Sequence, residues 1–344
     1  MSFSEPKKVE SLEKLGNLFS FLSTNEAKQD QTISDDKIIL WKNTIQKATQ
    51  INPWFTKKNI LFALKTWSDL LRKDRLNDWL TQYDFTSKRK NVAIIMAGNI
   101  PFVGFHDFIC VWLSGNIPIV KTSSDDPLFF PLIIQFLVDL GHDKIEITSS
   151  KISNFDAVIA TGSNNSSLYF EQYFSKYPHI FRKSKTSIAI LDGSEKNEEL
   201  IALALDIFSY FGLGCRNVTH LLIPENYDLN TFFGQIIQHS EIVNHHKYAN
   251  NYDYHKAIFL LNREPFLDNG FVLLREHKEI FSPVSVLHYS RYRNEEQKEH
   301  FLLENKENIQ AIIGKNYIPF GNAQLPSLFE YADGIDTLKW LSEL

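Results

Sequence analysis

From residue 91 onward the chain alternates short apolar runs with longer amphipathic stretches, and this restricts the possible folds more than any other feature of its 344 residues. Asn91-Val92-Ala93-Ile94-Ile95-Met96-Ala97, closed by Gly98, reads as a strand buried on both faces of a parallel sheet. Further apolar runs at 117–121, 145–148, 156–160 and 186–191 are separated by helical patterns over 102–114, 126–141 and 164–177. Strands alternating with helices of about 10–15 residues imply βαβ units and a parallel sheet. The pattern continues with a helix over 196–211 and a strand at 218–223. A mixed region follows, with strands near 257–261, 271–274 and 284–289 and a polar helix over 294–304. Residues 1–90 read as helical, with a break at Ile51-Asn52-Pro53-Trp54. The expected class is α/β. The length exceeds what one hydrophobic core normally serves, so two domains are expected.

Composition excludes several functional classes. A formal net charge of -5 leaves no electrostatic footprint for nucleic acid. No run approaches the ~20 apolar residues of a membrane span, and the N-terminus lacks the apolar centre of a signal peptide. Cys110 and Cys215 are the only two cysteines. They cannot form a disulfide framework, and no Cys/His spacing matches a metal site. A cytoplasmic protein without a metal, carrying unpaired thiols, is expected. The 27 phenylalanines against 2 methionines point to an aromatic interior, which suits either dense packing or an apolar substrate pocket.

Four short segments carry candidate chemistry. Cys215 follows Gly212-Leu213-Gly214 between an apolar helix and an apolar strand. Glycines there let the backbone turn sharply and approach a ligand closely. Nearby N–H groups would favour a thiolate, although cysteine is also a common buried apolar residue. Asn99 leaves the first strand at the edge where open α/β sheets bind ligands. Its amide can donate to an oxyanion or cap the next helix, for which Pro101 suits the first turn. Lys121 ends a strand before Thr122-Ser123-Ser124, a cation and hydroxyls suited to a ribose or phosphate. Thr161-Gly162-Ser163 open a helix whose N-terminus can receive an anion. The spaced glycines of G-x-G-x-x-G are absent, as are a P-loop and a G-x-S-x-G elbow. Gly-Asn-Ile-Pro occurs at 98–101 and 115–118, which we read as two similar turns rather than a repeat.

Six segments in order resemble the aldehyde dehydrogenase superfamily, and more closely its acyl-CoA reductase (LuxC-like) branch. They are Ala97-Gly98-Asn99-Ile100-Pro101, Val120-Lys121-Thr122-Ser123, Ala160-Thr161-Gly162-Ser163-Asn164-Asn165, Gly212-Leu213-Gly214-Cys215-Arg216-Asn217-Val218, Glu279-Ile280-Phe281-Ser282-Pro283-Val284 and Ile318-Pro319-Phe320-Gly321-Asn322. The resemblance implies an aldehyde dehydrogenase-like α/β fold with a parallel-sheet cofactor domain and a second α/β catalytic domain. The expected boundaries are 1–192 for the helical segment and cofactor domain and 193–318 for the catalytic domain. Residues 319–344 are expected to return to the cofactor domain or to an oligomer interface.

The resemblance also implies roles. Cys215 would be the nucleophile that takes the acyl group, and Asn99 the side-chain oxyanion donor. Lys121 would hold the adenosine ribose, Thr161, Gly162 and Ser163 would lie beneath the cofactor phosphates, Glu279 would bond the nicotinamide ribose, and Phe281 would pack near the nicotinamide. Aldehyde-oxidising members carry a water-activating glutamate in Glu-Leu-Gly-Gly; here the region reads Ile190-Leu191-Asp192-Gly193-Ser194-Glu195. Loss of that base suits an acylating reductase, in which water would destroy the thioester.

The expected function is reduction of an acyl thioester, acyl-CoA or acyl-carrier, to the aldehyde. NADPH is expected rather than NADH because Thr122, Ser123 and Ser124 offer hydroxyls to a 2′-phosphate, with Asp125 and Asp126 close by. Phe102, Phe105, Phe108, Trp112, Phe208 and Phe211 could line an acyl tunnel. The alternatives are a cysteine acyltransferase or thioesterase pairing Cys215 with His106 or His220, and a non-catalytic member of the fold. A homo-oligomer is compatible with the sequence, which leaves acyl length and donor open.

Overall fold

The polar N-terminal stretch folds as α1 (Pro6–Thr24), α2 (Asp35–Ile51), α3 (Lys57–Leu70) and α4 (Lys73–Leu80) in a computed structural model whose described residues are 6–24, 33–85 and 89–344. The break falls where expected. Asn52 is extended, and Thr56 caps α3 by accepting from the Asn59 N–H at 3.3 Å. The chain divides into two compact units, Met1–Lys183 with Ser327–Leu344, and Ser184–Pro326.

The first unit holds β1 (Asn91–Ile95), α5 (Phe105–Leu113), β2 (Ile117–Lys121), α6 (Phe129–Asp139), β3 (Glu146–Thr148), β4 (Ala157–Thr161), α7 (Asn164–Phe174) and β5 (His179–Arg182). Its five strands are parallel in the order β3-β2-β1-β4-β5, with Ala93 beside both Ile119 and Val158. Val92, Ala93 and Ile94 are buried because helices cover both faces, which is why the strand reads as an unbroken apolar run. The winding reverses between β1 and β4, so the ligand-binding crevice of such a sheet lies at the carboxyl ends of those two strands.

The second unit holds β6 (Thr186–Ile190), α8 (Asn197–Phe208), β7 (Val218–Pro224), α9 (Leu229–Ile236), α10 (His246–Asn262), β8 (Leu267–Asp268), β9 (Leu273–Glu276), β10 (Val286–Tyr292), α11 (Glu295–Asn305) and β11 (Ile309–Ile313). Its six-stranded sheet runs β11-β6-β7-β10-β9-β8, parallel except for β8. Its core gathers Leu203, Leu221, Phe232, Phe271, Leu274 and Leu287. The last helix, α12 (Thr337–Ser342), belongs to the first unit.

Three readings of the sequence need correction. Residues 257–261 are not a strand but the last turns of α10, where Ala257-Ile258-Phe259-Leu260-Leu261 is an apolar run ending a mostly polar helix. The short strand β5, helix α9 and strand β11 were not anticipated. Helix α5 begins at Phe105, with Gly104 at its N-cap position, so Pro101 lies in the preceding turn. The two Gly-Asn-Ile-Pro segments are different turns, since only Gly115 has a positive φ, of 85°.

Candidate active site

In the first unit the expected oxyanion donor and cofactor residues follow the carboxyl ends of adjacent strands. Asn99 follows β1, Lys121 ends β2 and is trailed by Ser123, and Thr161 ends β4 and is trailed by Gly162 and Ser163. Ser163 is the N-cap of α7, accepting from the Ser166 N–H at 3.3 Å, and remains exposed at the helix start. Lys121 donates to the Ser149 carbonyl at 3.0 Å. Ser123 accepts from the Asp125 N–H at 3.2 Å.

Close approach explains the glycines. A Cβ on Gly98 would stand 2.6 Å from Ser123 Oγ, and one on Gly162 would stand 2.8 Å from Ser166 Cβ. The Asn99 turn is fixed on both sides. Asn52 donates to the Gly98 carbonyl at 3.4 Å, and the Phe102 N–H donates to Asp126 at 3.3 Å. Burial raises the Asp126 carboxyl to about 6. Phe102 has a φ of 64°, so this loop is held in a strained conformation. With Gly104 at the N-cap position of α5, the exposed Asn99 does not occupy the capping position considered for it. A reversal point, a capped helix start and a lysine at adjacent strand ends together fit a dinucleotide.

In the second unit Cys215 is exposed at the entry to β7, whereas Cys110 is buried in α5; neither is in a disulfide. Everything around the Cys215 backbone is tied down. Asn217, itself fully buried, donates through Nδ2 to the carbonyls of Asp206, Ile207 and Ser209 at 3.1, 3.3 and 2.8 Å. Its Oδ1 accepts from the Gly214 N–H at 2.8 Å, and its own N–H donates to the Gly214 carbonyl at 3.0 Å. Ser187 of β6 donates to the Cys215 carbonyl at 3.1 Å.

Asn217 thereby closes α8, whose last carbonyls need donors, and draws the cysteine turn against them. The chain reaches that turn through three left-handed residues, Tyr210, Phe211 and Gly212, with φ of 52°, 60° and 79°. A further clamp comes from α8. Asp206, with no exposed surface, accepts from the N–H groups of Gly321 and Ala323 at 2.6 and 2.9 Å, and Arg216 donates to the Ala323 carbonyl. Thus the Pro319-Phe320-Gly321 segment belongs to the scaffold of the cysteine turn. Asp206 had no assigned role in the sequence, although a lone acid within Leu-Ala-Leu-Asp-Ile-Phe is a signal that a buried partner exists.

The Glu279 loop joins β9 to β10, which runs parallel to β7 with His288 beside His220. The loop runs from the carboxyl end of β9 to the amino end of β10, the edge at which the cysteine turn enters β7. Thr219 ties them by donating to the Ile280 carbonyl at 2.6 Å. Glu279 and Phe281 are exposed while Ile280 is buried.

The histidines proposed for a thiol pair are engaged elsewhere. His106 is in α5, its Nε2 donating to the Leu328 carbonyl at 3.1 Å and its Nδ1 lying 3.9 Å from the Cys110 sulfur. His220 is fully buried, its Nδ1 donating to the Glu279 carbonyl at 3.2 Å. Burial lowers its imidazole to about 3, so it stays neutral at physiological pH.

At Asp192-Gly193-Ser194-Glu195 the carboxylates serve the turn itself. Glu195 accepts from the N–H groups of Asp192 and Gly193 at 2.6 and 3.2 Å, and Asp192 accepts from Ser194. The Ser194 hydroxyl holds the Asp192 carboxyl down at about 2, too acidic for a base. Four of the six aromatic residues named for an acyl tunnel, Phe102, Phe105, Phe108 and Phe208, are buried. Phe102 and Phe105 pack with Phe19 at ring-centre distances of 5.8 and 6.3 Å, and Phe108 is fully buried. Phe208 packs on Phe271 in the core of the second unit. Among the described residues no group of three or more His, Cys, Asp or Glu could hold a metal, and no helix is long and apolar enough to cross a membrane.

Comparison with known proteins follows the same lines. The acyl-CoA reductase (LuxC) family matches residues 22–232, a span that includes Asn99 and Cys215 and ends before Glu279. A long-chain acyl-protein thioester reductase of Aliivibrio fischeri is 26% identical over 228 residues, covering 59% of this chain and 47% of that one. The chain thus spans about half the length of that curated relative. Aldehyde dehydrogenase C of Pseudomonas syringae, crystallised with NAD+ and octanal, superposes with a TM-score of 0.63 at 12% identity, covering 90% of this chain and 73% of that one. The Mycobacterium tuberculosis aldehyde dehydrogenase complexed with NAD+ gives 0.58 at 13%, covering 85% and 70%. An NADP-dependent enzyme of E. coli gives 0.59 at 12%, covering 90% and 78%. These structures share the fold, and with the matched span the chain belongs to the acyl-CoA reductase (LuxC) family.

Proposed function

We propose that this protein reduces an acyl thioester to the aldehyde through an S-acyl intermediate on Cys215. The observation that carries the reading is the Cys215 turn, in which an exposed thiol stands on a backbone fixed by Asn217, Ser187 and Asp206. A nucleophile held this way loses little orientational freedom on attack. The Cys215 thiolate forms a bond to the thioester carbonyl carbon, and the leaving thiol departs as the tetrahedral adduct collapses. The Cys215 N–H and the Asn99 amide receive the oxyanion, each such donor supplying about 3–4 kcal/mol of transition-state stabilisation. Covalent capture divides one difficult reduction into two easier steps.

Lys121 and Ser123 would hold the adenosine ribose of the cofactor, Thr161, Gly162 and Ser163 its phosphates, and Glu279 with Phe281 its nicotinamide end. When bound, the nicotinamide supplies the hydride that converts the acyl group to the aldehyde oxidation level. Cys215 then leaves as thiolate, releasing the aldehyde. NADPH is the preferred donor on this reading, with Ser123 and its neighbouring hydroxyls available to a 2′-phosphate. Acyl-CoA or an acyl-carrier thioester is the substrate class. With Asp192 and Glu195 committed to their own turn, nothing in that segment activates water against the S-acyl group.

The test is to follow nicotinamide absorbance with acyl-CoA substrates of graded length, using NADPH and NADH in parallel. Acyl-dependent oxidation with aldehyde formation is expected, faster with NADPH. Thioester hydrolysis without cofactor consumption would instead make the protein a thioesterase, and equal kcat/KM for the two cofactors would remove the NADPH preference.

A further inference from the structure

Three histidines of the second unit spend the same atom on the backbone of one residue. His220 of β7 and His288 of β10 place Nδ1 at 3.2 and 2.9 Å from the Glu279 carbonyl oxygen, and His277 places Nδ1 3.2 Å from the Glu279 nitrogen. The protonation states follow from the partners. A carbonyl only accepts, so Nδ1 of His220 and of His288 each carries its proton. A backbone N–H only donates, so Nδ1 of His277 is bare and its proton sits on Nε2. Burial lowers His220 to about 3 and His288 to about 4, which keeps both rings neutral as this arrangement needs.

The next peptide is held as well. Thr219 donates to the Ile280 carbonyl at 2.6 Å, and its oxygen lies 2.6 Å from that of Thr186. This cradle is costly, since His220 Nε2 is buried without a hydrogen-bond partner. A loop needing only satisfied backbone groups would not require three imidazoles on a single residue. What the cradle leaves outside is the Glu279 carboxylate and the Phe281 ring, the latter 39% exposed.

We propose that His220, His277 and His288 are positioning residues for the nicotinamide cofactor, gripping the Glu279 backbone at both its N–H and its C=O so that the carboxylate is presented in one place. This rests on the reading that Glu279 binds the cofactor. Preorganised side chains bind without losing loop freedom on association.

The experiment titrates the full chain with NADPH and with NADH by nucleotide fluorescence, for wild type, Glu279→Ala, His277→Ala, His277→Asn and the double variant Glu279→Ala/His277→Ala, with melting temperatures in parallel. His277 is the partly exposed member, so its replacement disturbs the core least. His277→Ala should raise Kd about 10-fold, and His277→Asn, whose amide oxygen can accept from the same N–H, should return it to within about threefold of wild type. In the Glu279→Ala background His277→Ala should add nothing, the signature of a residue acting through another. If Glu279→Ala weakens binding but His277→Ala does not, or if their effects add in full, the cradle has no positioning role. If Glu279→Ala leaves Kd unchanged, the cofactor role of Glu279 fails first and the proposal falls with it.

Discussion

Cys215 and Asn217 lie two positions apart and have opposite environments, one exposed and one fully buried. The buried residue fixes the turn that carries the exposed one, because its amide donates to two carbonyls of α8 and to that of Ser209 and accepts from the Gly214 N–H. Asn217→Ala leaves those carbonyls without their donor, and we expect a loss of about 2–4 kcal/mol in urea unfolding with slower acylation. An unchanged unfolding midpoint would show that water replaces the amide. Asn99→Ala should lower kcat about 100- to 1,000-fold with little change in KM, as removal of an oxyanion donor does. A change confined to KM would assign Asn99 to substrate or cofactor binding. Cys215 and Asn99 stand out in the sequence through the ordered segments that resemble the family, since locally a buried thiol and a helix cap read equally well. The roles of Asn217, His220 and His288 are not legible there, since they meet backbone groups brought together by tertiary structure, and Asp206 leaves only the signal of a lone acid in an apolar run.

Among elements, the parallel strands were the most legible, since burial on both faces makes β1, β2, β4 and β6 continuous apolar runs. The same logic failed at α10, where a five-residue apolar run at a helix end is indistinguishable from a strand by periodicity alone. Strand β5 carries His179 and Arg182 at its ends and so never looked apolar. Helix α8 makes the testable link between element and site. Burial raises Asp206 to about 6 from 3.8, so the folded state binds its proton more tightly than the unfolded chain. Its contribution to stability is fully present below about pH 3.8 and is lost as pH rises through about 6. Relative to Asp206→Asn, wild type should therefore gain stability when denaturant unfolding is moved from pH 7 to pH 4.5. A gap that does not vary with pH would mean the carboxylate is fully compensated by its two N–H donors.

At the scale of the molecule, the chain leaves the first unit after Lys183 and re-enters it at Ser327. The returning segment is anchored by Arg182, which is 4% exposed and donates to Asp107 at 2.6 and 3.0 Å, to the Ala332 carbonyl at 2.6 Å and to Thr337 at 2.8 Å. Trp79 donates to Tyr331 at 2.8 Å, and Tyr83 donates to Asp336 at 2.9 Å, completing the anchor. Asp107→Ala would strand a buried guanidinium and should cost about 3–5 kcal/mol in thermal or urea unfolding; a loss below about 1 kcal/mol would show that water reaches the site.

Acid sensitivity should follow from the histidine cradle of the second unit. His288, lowered from 6.5 to about 4, contributes stability above pH 6.5 that is lost as pH falls through about 4. His288→Asn should flatten that part of the profile, and a profile identical to wild type would contradict the assignment. The central claim is that Cys215 carries the acyl group, and intact-mass spectrometry after incubation with acyl-CoA and no nicotinamide tests it most directly. Wild type and Cys110→Ala should each gain the mass of one acyl group and Cys215→Ala none. Acylation persisting in Cys215→Ala would contradict the account.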